Sequence, residues 1–284
     1  MWTCIFSANK KHSGFLWRAA LAAAVLAGPA TAGEHGIQRL IQAYPQHLCG
    51  AEGNFLVWCD GERMPYDDGN SQKTHRQKLE NADLQDQMEQ PYPRGADYPL
   101  PPPTDFEPGR IRNEAFFRKM YGNNAEEVRR RLAPVEWLPR SGGQRLWVTT
   151  VNRVHERLKA VSDELDTLPA SLRRFVDRPA GGFNWRVIAR EKRLSPHSFG
   201  IAVDMNTSTA DYWQWQRGGD RGPIAYRNRI PLEIVLIFEK HGFIWGGKWH
   251  HFDTPHFEYR PELLVKSPDP APDGKPASPG TTGD

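Results

Sequence analysis

Apolar residues recur at helical spacing through the middle of the chain. Between positions 146 and 165 they are Leu146, Trp147, Val151, Val154, Leu158, Val161 and Leu165. Intervals of three and four residues predict a long amphipathic helix packed against a core. Shorter helices are predicted over residues 112–121 and 125–132. Another is predicted over residues 231–240, because proline suits the first helical turn and Gly242 stands just past the end.

Beyond the long helix the apolar segments become short and are separated by Gly, Pro and Asn. They cover residues 183–187, 201–205, 243–245 and 255–259. Segments of this length and composition predict strands. Helices followed by several short strands and one further helix predict an α+β fold, with a small antiparallel sheet and flanking helices.

Cys49 and Cys59 lie in the polar N-terminal part, on either side of the apolar patch at residues 54–58. In a chain that enters an oxidising compartment, two cysteines ten residues apart predict a disulfide that ties a small hairpin. A zinc site on these cysteines is the alternative, but only His47 lies nearby. The stretch 67–90 is charged and rich in glutamine, which fits either a solvated helix or a poorly ordered segment.

Proline marks the expected domain limits. Seven prolines between positions 91 and 108 predict an extended connector over residues 91–110. It separates an N-terminal extension, residues 33–90, from a larger domain, residues 111–265. Residues 266–284 are rich in Pro, Gly, Ser and Asp and predict a disordered tail.

Residues 1–32 predict a secretory signal peptide. Lys10, Lys11 and Arg18 precede a short apolar run, and small residues follow at positions 30–32. The run is too short for a typical membrane span, so an uncleaved anchor is the lesser alternative and no stable membrane insertion is expected after cleavage. Export and a disulfide together predict a periplasmic or secreted protein.

The charge balance argues against nucleic-acid binding. The chain has 37 Lys plus Arg and 34 Asp plus Glu. All three surplus basic residues belong to the predicted signal peptide, so the mature chain is neutral. A nucleic-acid-binding domain is expected to carry a basic surplus on one face.

Two stretches about fifty residues apart carry the candidate chemistry. One holds His197 and Asp204, and the other holds His256. Two histidines and a carboxylate are a ligand set of hydrolytic zinc, which leaves a fourth position for water. Alternation along strand 201–205 would turn Asp204 away from the core-facing side chains. We therefore expect one zinc ion per chain.

A hydrolytic site also needs a base that does not bind the metal. Asp253 stands three residues before His256 and is the candidate general base. Glu258 shares a strand face with His256, so it either is the base or holds the other ring nitrogen of that histidine.

The string from Ser195 to Asp204 reads S-x-H-x-x-G-x-A-x-D. With the later D-x-x-H, it resembles the zinc D-alanyl-D-alanine carboxypeptidases of the VanY kind and the related L-alanyl-D-glutamate endopeptidases of phage endolysins. The resemblance covers residues 181–264. It implies that His197, Asp204 and His256 bind zinc, that Asp253 is the base, and that Arg186 stabilises the oxyanion or holds a substrate carboxylate.

The implied function is that of an exported zinc metallopeptidase which hydrolyses an amide bond adjacent to a D-amino acid in peptidoglycan stem peptides. A D,D-carboxypeptidase is the leading form of this hypothesis. The alternatives are an L,D- or D,D-endopeptidase of the cell wall and a non-catalytic zinc-containing wall-binding protein. The sequence does not determine the oligomeric state.

Some positions depart from the family pattern or stay open. Asp253 replaces the glutamate of many members, and Arg190 stands where a small residue is expected. Either His250 or His251 could be an extra donor beside the substrate, or both could lie at the surface. The aromatic residues at 212–215 fit either a cleft wall or the core.

Overall fold

The computed structural model describes residues 32–216 and 224–265. The predicted tail, residues 266–284, and all but the last residue of the predicted signal peptide lie outside these ranges. Within them, no helix combines the length and apolar character that a membrane span requires.

The N-terminal part is built around a disulfide-linked sheet. Helix α1 (Ala32–Ala43) leads into strands β1 (Leu48–Glu52), β2 (Phe55–Trp58) and β3 (Arg63–Pro65), which form an antiparallel sheet in that order. The Cys49–Cys59 disulfide joins the two arms of the first hairpin. The predicted hairpin and disulfide are thus confirmed.

Two short helices occupy the charged stretch that follows. Helices α2 (His75–Glu80) and α3 (Leu84–Glu89) each begin with a capping box, at Thr74 and Asp83 respectively. Reciprocal bonds of this kind satisfy the first free amides of a helix. Helix α2 has no buried residue, whereas α3 buries Leu84 and Met88. Only α2 therefore fits the solvated helix predicted for this stretch.

The N-terminal part and residues 111–265 share one contiguous hydrophobic core. Trp58 and Phe116 illustrate the contact, with ring centroids 5.4 Å apart. Tyr92, within the proline-rich segment, is buried and hydrogen-bonds Glu239 at 2.7 Å. The domain limits expected from the sequence stay a prediction.

The long helix predicted over residues 146–165 is wrong in its first part. After helices α4 (Glu114–Tyr121) and α5 (Ala125–Arg129), strands β4 (Leu132–Trp137) and β5 (Gln144–Thr149) form an antiparallel pair. Helix α6 begins only at Val154 and ends at Leu165. Leu146 and Val148 are buried while Trp147 is half exposed, which is the alternation of a strand.

A second three-stranded sheet carries the candidate ligands. Its order is β6 (Ala202–Asp204), β8 (His256–Tyr259) and β7 (Phe243–Trp245), all antiparallel. These strands and the helix α8 (Leu232–Lys240) were predicted. The strand predicted over residues 183–187 is wrong, because that stretch makes one isolated bridge, between Val187 and Leu194.

Helix α8 covers one face of this sheet. The rings of Phe238 and Phe257 stack with centroids 3.7 Å apart, and Phe238 is completely buried. Short helices α7 (Ala170–Arg173) and α9 (Pro261–Leu264) complete the described chain. Mixed helices with small antiparallel sheets confirm the α+β class.

Candidate metal centre

Local structure places each predicted ligand. His197 lies in a 3₁₀ turn, Pro196–Phe199, whose first residue is preceded by the capping side chain of Ser195. Asp204 ends strand β6 and His256 begins strand β8, and these two residues face each other in the antiparallel register. The opposed pair therefore brings two ligands together across the sheet, and the turn adds the third.

The three side chains converge on one point. Their candidate ligand atoms all lie within 4.8 Å of one another. Nδ1 of His256 is 3.0 Å from Oδ1 of Asp204, and Nε2 of His197 is 3.3 Å from Oδ2 of the same carboxylate. Nδ1 of His197 donates to the carbonyl of Gly182 at 2.7 Å. That bond orients the ring, so that Nε2 points toward Asp204 and is the nitrogen left for a metal.

The donor set fits a divalent cation such as zinc. Two imidazoles and one carboxylate match the residues that bind catalytic zinc. Nε2 of His197 is buried and has no hydrogen-bond partner in the described chain, as expected of an atom reserved for a metal. Among the described residues, Asp67, Asp68 and Asp83 form another acidic cluster. Lys73 bonds Asp68 and Asp83 at 2.6 and 2.9 Å, so two of these three carboxylates already share an ammonium group.

Without a metal, the buried charges stabilise one another. Burial lowers the pKa of His256, but bonds to Asp204 and Glu258 outweigh this and raise the pKa to about 10. Burial alone would raise the pKa of Asp204, yet the two histidines hold it well below its usual range. The metal-free centre is thus a carboxylate paired with an imidazolium, from which a cation must displace a proton.

Asp253 lines the same cleft as the three candidate ligands. Its backbone is held by a bridge to Tyr212 and by donation from its N–H to the carbonyl of Gly246 at 3.0 Å. Burial, opposed by His256, raises the pKa of the Asp253 carboxyl to about 6. A carboxylate with a pKa near the working pH is suited to accept a proton.

Glu258 lies on the other side of His256. It is completely buried, and Oε2 is 3.6 Å from Nε2 of His256. Arg112 and Arg260 also flank it, at 3.4 and 3.1 Å. Burial would raise the pKa of Glu258, but these arginines and His256 lower it to about 2. This geometry favours the supporting role of Glu258 over the role of base.

Arginines dominate the rest of the cleft, whose volume is about 120 Å³. Those that line it are Arg110, Arg112, Arg186 and Arg193. Arg186 is exposed, and no described acidic residue pairs with it, whereas Arg110 is tied to Glu107 and Glu191. Sequence reasoning identified Arg186 alone. The others lack a local motif, although arginine-rich stretches at 110–112 and 190–193 could have drawn attention.

The positions left open by the sequence are now placed. The cleft is lined by His251, Tyr212 and Trp213. His250 does not line it, and Trp215 is exposed. Arg190 has a φ of 66°, a left-handed conformation that favours glycine and thus accounts for the small residue expected there.

Ser198 is a residue that the sequence did not single out. Its hydroxyl accepts a hydrogen bond from the backbone N–H of Arg186 at 2.9 Å and so ties that segment to the turn of His197.

Glycine permits the close packing beneath the site. Gly200 ends the His197 turn with a φ of 67°, and a Cβ there would lie 2.9 Å from Leu132 and 3.0 Å from the backbone of Thr149. A side chain at this position would clash with its neighbours, which explains why the S-x-H-x-x-G string has glycine there.

One comparison with known proteins gives a match. The family model described as D-alanyl-D-alanine carboxypeptidase matches residues 189–259, which include His197, Asp204, Asp253 and His256. Comparisons with curated proteins and with solved structures give no match. Over residues 189–259 the match confirms the resemblance predicted from the sequence, to the D-alanyl-D-alanine carboxypeptidase family.

Proposed function

We propose that this protein is an exported zinc metallopeptidase that hydrolyses an amide bond adjacent to a D-amino acid in peptidoglycan stem peptides. The observation that carries the proposal is the convergence of His197, Asp204 and His256 within 4.8 Å, with Asp253 in the same cleft. The family match over this segment supports a peptidase. A non-catalytic wall-binding protein would have no use for a carboxylate with a raised pKa beside three ligands.

His197, Asp204 and His256 would hold one zinc ion. A zinc ion there supplies Lewis acidity, which polarises a carbonyl and lowers the pKa of water to about 7. Asp253 accepts the proton of the attacking water and passes it to the leaving amine. Arg186 donates to the oxygen that becomes negative during the reaction, or to a carboxylate of the substrate.

The arginine-lined cleft supports an acidic substrate. Stem peptides of a carboxypeptidase end in a free carboxylate, and a guanidinium binds a carboxylate through two parallel hydrogen bonds. Arg186 is the arginine available for this, since it is exposed in the cleft without a described acidic partner. This favours the D,D-carboxypeptidase form over an endopeptidase.

The disulfide supports the exported location. A bond between Cys49 and Cys59 persists in an oxidising compartment such as a bacterial periplasm or the medium. Reducing cytosol would keep both thiols free. The location proposed is therefore periplasmic or secreted.

Product masses test the proposal. Purified, zinc-loaded protein is incubated with muropeptides ending in D-alanyl-D-alanine, and the products are identified by mass spectrometry. Loss of one terminal alanine is expected. Cleavage within the stem peptide, or of a cross-link between stems, would show an endopeptidase. If the protein binds one zinc per chain but cleaves no muropeptide, it is the non-catalytic wall-binding protein instead.

A further inference from the structure

The end of the proline-rich segment is bonded to the stretch of chain that leads into the candidate metal centre. The backbone N–H of His250 donates to the carbonyl of Phe106 at 2.8 Å, and the indole N–H of Trp249 donates to the carbonyl of Pro108 at 2.8 Å. Residues 106–108 are thus bonded to the stretch that leads to Asp253 and His256. A segment outside the family match lies against the candidate active site.

Glu107 is the acidic residue of this segment. It is completely buried, and Nη1 of Arg110 lies 2.7 and 2.8 Å from its two oxygens. Nε2 of His75 lies 3.0 Å from Oε2. Burial would raise the pKa of Glu107, but Arg110 and the histidines hold it well below its usual range. Glu107 is therefore a charged acceptor in a fixed position.

Glu107 also orients His251. Oε1 accepts from the backbone N–H of His251 at 3.1 Å and from Nδ1 of its ring. The ring of Trp213 lies edge-on, with centroids 4.5 Å apart. His251 lines the cleft that holds the three candidate ligands, and its bonds to described residues use the backbone N–H and Nδ1, not Nε2. A ring held by one nitrogen presents the other to whatever occupies the cleft.

We propose that His251 is a further substrate-contacting residue, which hydrogen-bonds the peptide backbone of the substrate through Nε2, and that Glu107 is the residue that positions it. The inference rests on the proposed function, since it takes the occupant of the cleft to be a peptide. It gives the segment at residues 106–108, which lies outside the family match, a supporting role in the active site. His250, its neighbour in sequence, does not line the cleft and supplies a matched control.

Kinetics of three variants test the contact. His251→Ala should lower kcat/KM on the muropeptide by ~10- to 100-fold, the effect of losing one substrate hydrogen bond, with one zinc still bound per chain. His251→Gln should recover part of this loss, because its amide reaches the region of Nε2. His250→Ala should stay within about twofold of the wild type. Equal losses in His251→Ala and His250→Ala would overturn the assignment.

A double-mutant cycle tests the positioning role of Glu107. Glu107→Gln should lower kcat/KM through His251, so adding it to His251→Ala should cost little more than His251→Ala alone. Because Glu107 also pairs with Arg110, its replacement lowers the unfolding midpoint in either case, whereas a purely structural role would reduce activity additively in the double variant. Additive losses would refute the positioning role.

A measurement independent of turnover separates this inference from the proposed function. Long-range ¹⁵N spectra of the wild type, assigned with His251→Ala, should show the His251 proton on Nδ1, and Glu107→Gln should disturb that signal. A proton on Nε2 alone would refute the Glu107–His251 pair. If the wild type cleaves no muropeptide, the proposed function and the substrate contact both fail, while the spectra still decide whether the pair exists.

Discussion

Asp204 and His256 are directly opposed in the register of β6 and β8, with Oδ1 of Asp204 3.0 Å from Nδ1 of His256. Backbone hydrogen bonds of the sheet therefore set the spacing of two candidate ligands. The carbonyl of Gly182 sets the orientation of the third, His197. A centre held in this way is organised before any metal arrives.

The metal-free protein should lose stability as the pH rises from about 6.5 to about 10. Burial lowers the pKa of His256, but bonds to Asp204 and Glu258 raise it to about 10, whereas the value for an unfolded histidine is about 6.5. Because the folded value is the higher one, the stabilisation is complete below pH ~6.5 and is lost as the pH rises through ~10. Urea unfolding in EDTA at several pH values measures this. His256→Ala should remove this part of the dependence, and an unchanged profile in that variant would contradict the assignment.

Replacing Asp253 should abolish most turnover without removing the metal. Asp253→Asn keeps the shape of the side chain but cannot accept a proton, so we expect kcat to fall ~10²- to 10⁴-fold. Metal analysis should still find one zinc per chain. In the wild type the rate should fall at or below pH 6, because the pKa of Asp253 is about 6 without metal and a nearby cation lowers it. Asp163→Asn, an exposed carboxylate on α6 paired with Lys159, is the control. A rate near that of the control would show that another group is the base.

The ligand set could be predicted because its residues stand in two short stretches. The string from Ser195 to Asp204 fixes a turn and a strand locally, and Asp253 is only three residues from His256. Glu107 and Arg110 gave no such signal. Glu107 meets His251 across 144 positions of the chain, and a contact of this kind depends on packing that no local pattern encodes.

The error over residues 146–149 has a different cause. Leu146 and Val148 alternate with Trp147 as in a strand, but only a few residues separate them from the true helix. Apolar positions at 146, 147, 151 and 154 then imitate a helical period. Pairing with β4, a long-range property, decides between the two.

Arg186 should matter for turnover more than for folding. Its side chain is exposed in the cleft, so Arg186→Ala should leave the unfolding midpoint nearly unchanged. If it stabilises the oxyanion, kcat should fall ~10²- to 10³-fold, and if it holds the carboxylate of the substrate, KM should rise instead. Steady-state kinetics distinguish the two results. The control is Arg178→Ala, since Arg178 is an exposed arginine paired with Asp177. Unchanged kcat and KM would exclude Arg186 from the site.

Loss of the disulfide should weaken the whole described fold. Cys49 and Cys59 close the hairpin whose Trp58 packs on Phe116 of α4, within the shared core. The double variant Cys49→Ser/Cys59→Ser should lower the free energy of unfolding by ~2–4 kcal/mol. Denaturant unfolding of both proteins measures it, and the wild type with added reductant should behave like the variant. A loss confined to the N-terminal part, with an unchanged transition of the remainder, would show that the two parts unfold independently.

Glu258→Gln separates the supporting role of Glu258 from the role of base. The substitution leaves Arg112 and Arg260 facing a neutral amide in a fully buried position, so the free energy of unfolding should fall by ~3 kcal/mol. Since Glu258 also faces Nε2 of His256, zinc affinity should fall ~10- to 100-fold. Chelator competition and denaturant unfolding measure the two effects. Glu126→Gln, which disturbs the exposed pair with Arg130, is the control and should change neither appreciably. If Glu258 were the base, Glu258→Gln would retain its zinc affinity and lose turnover even at saturating zinc, whereas Asp253→Asn would stay active.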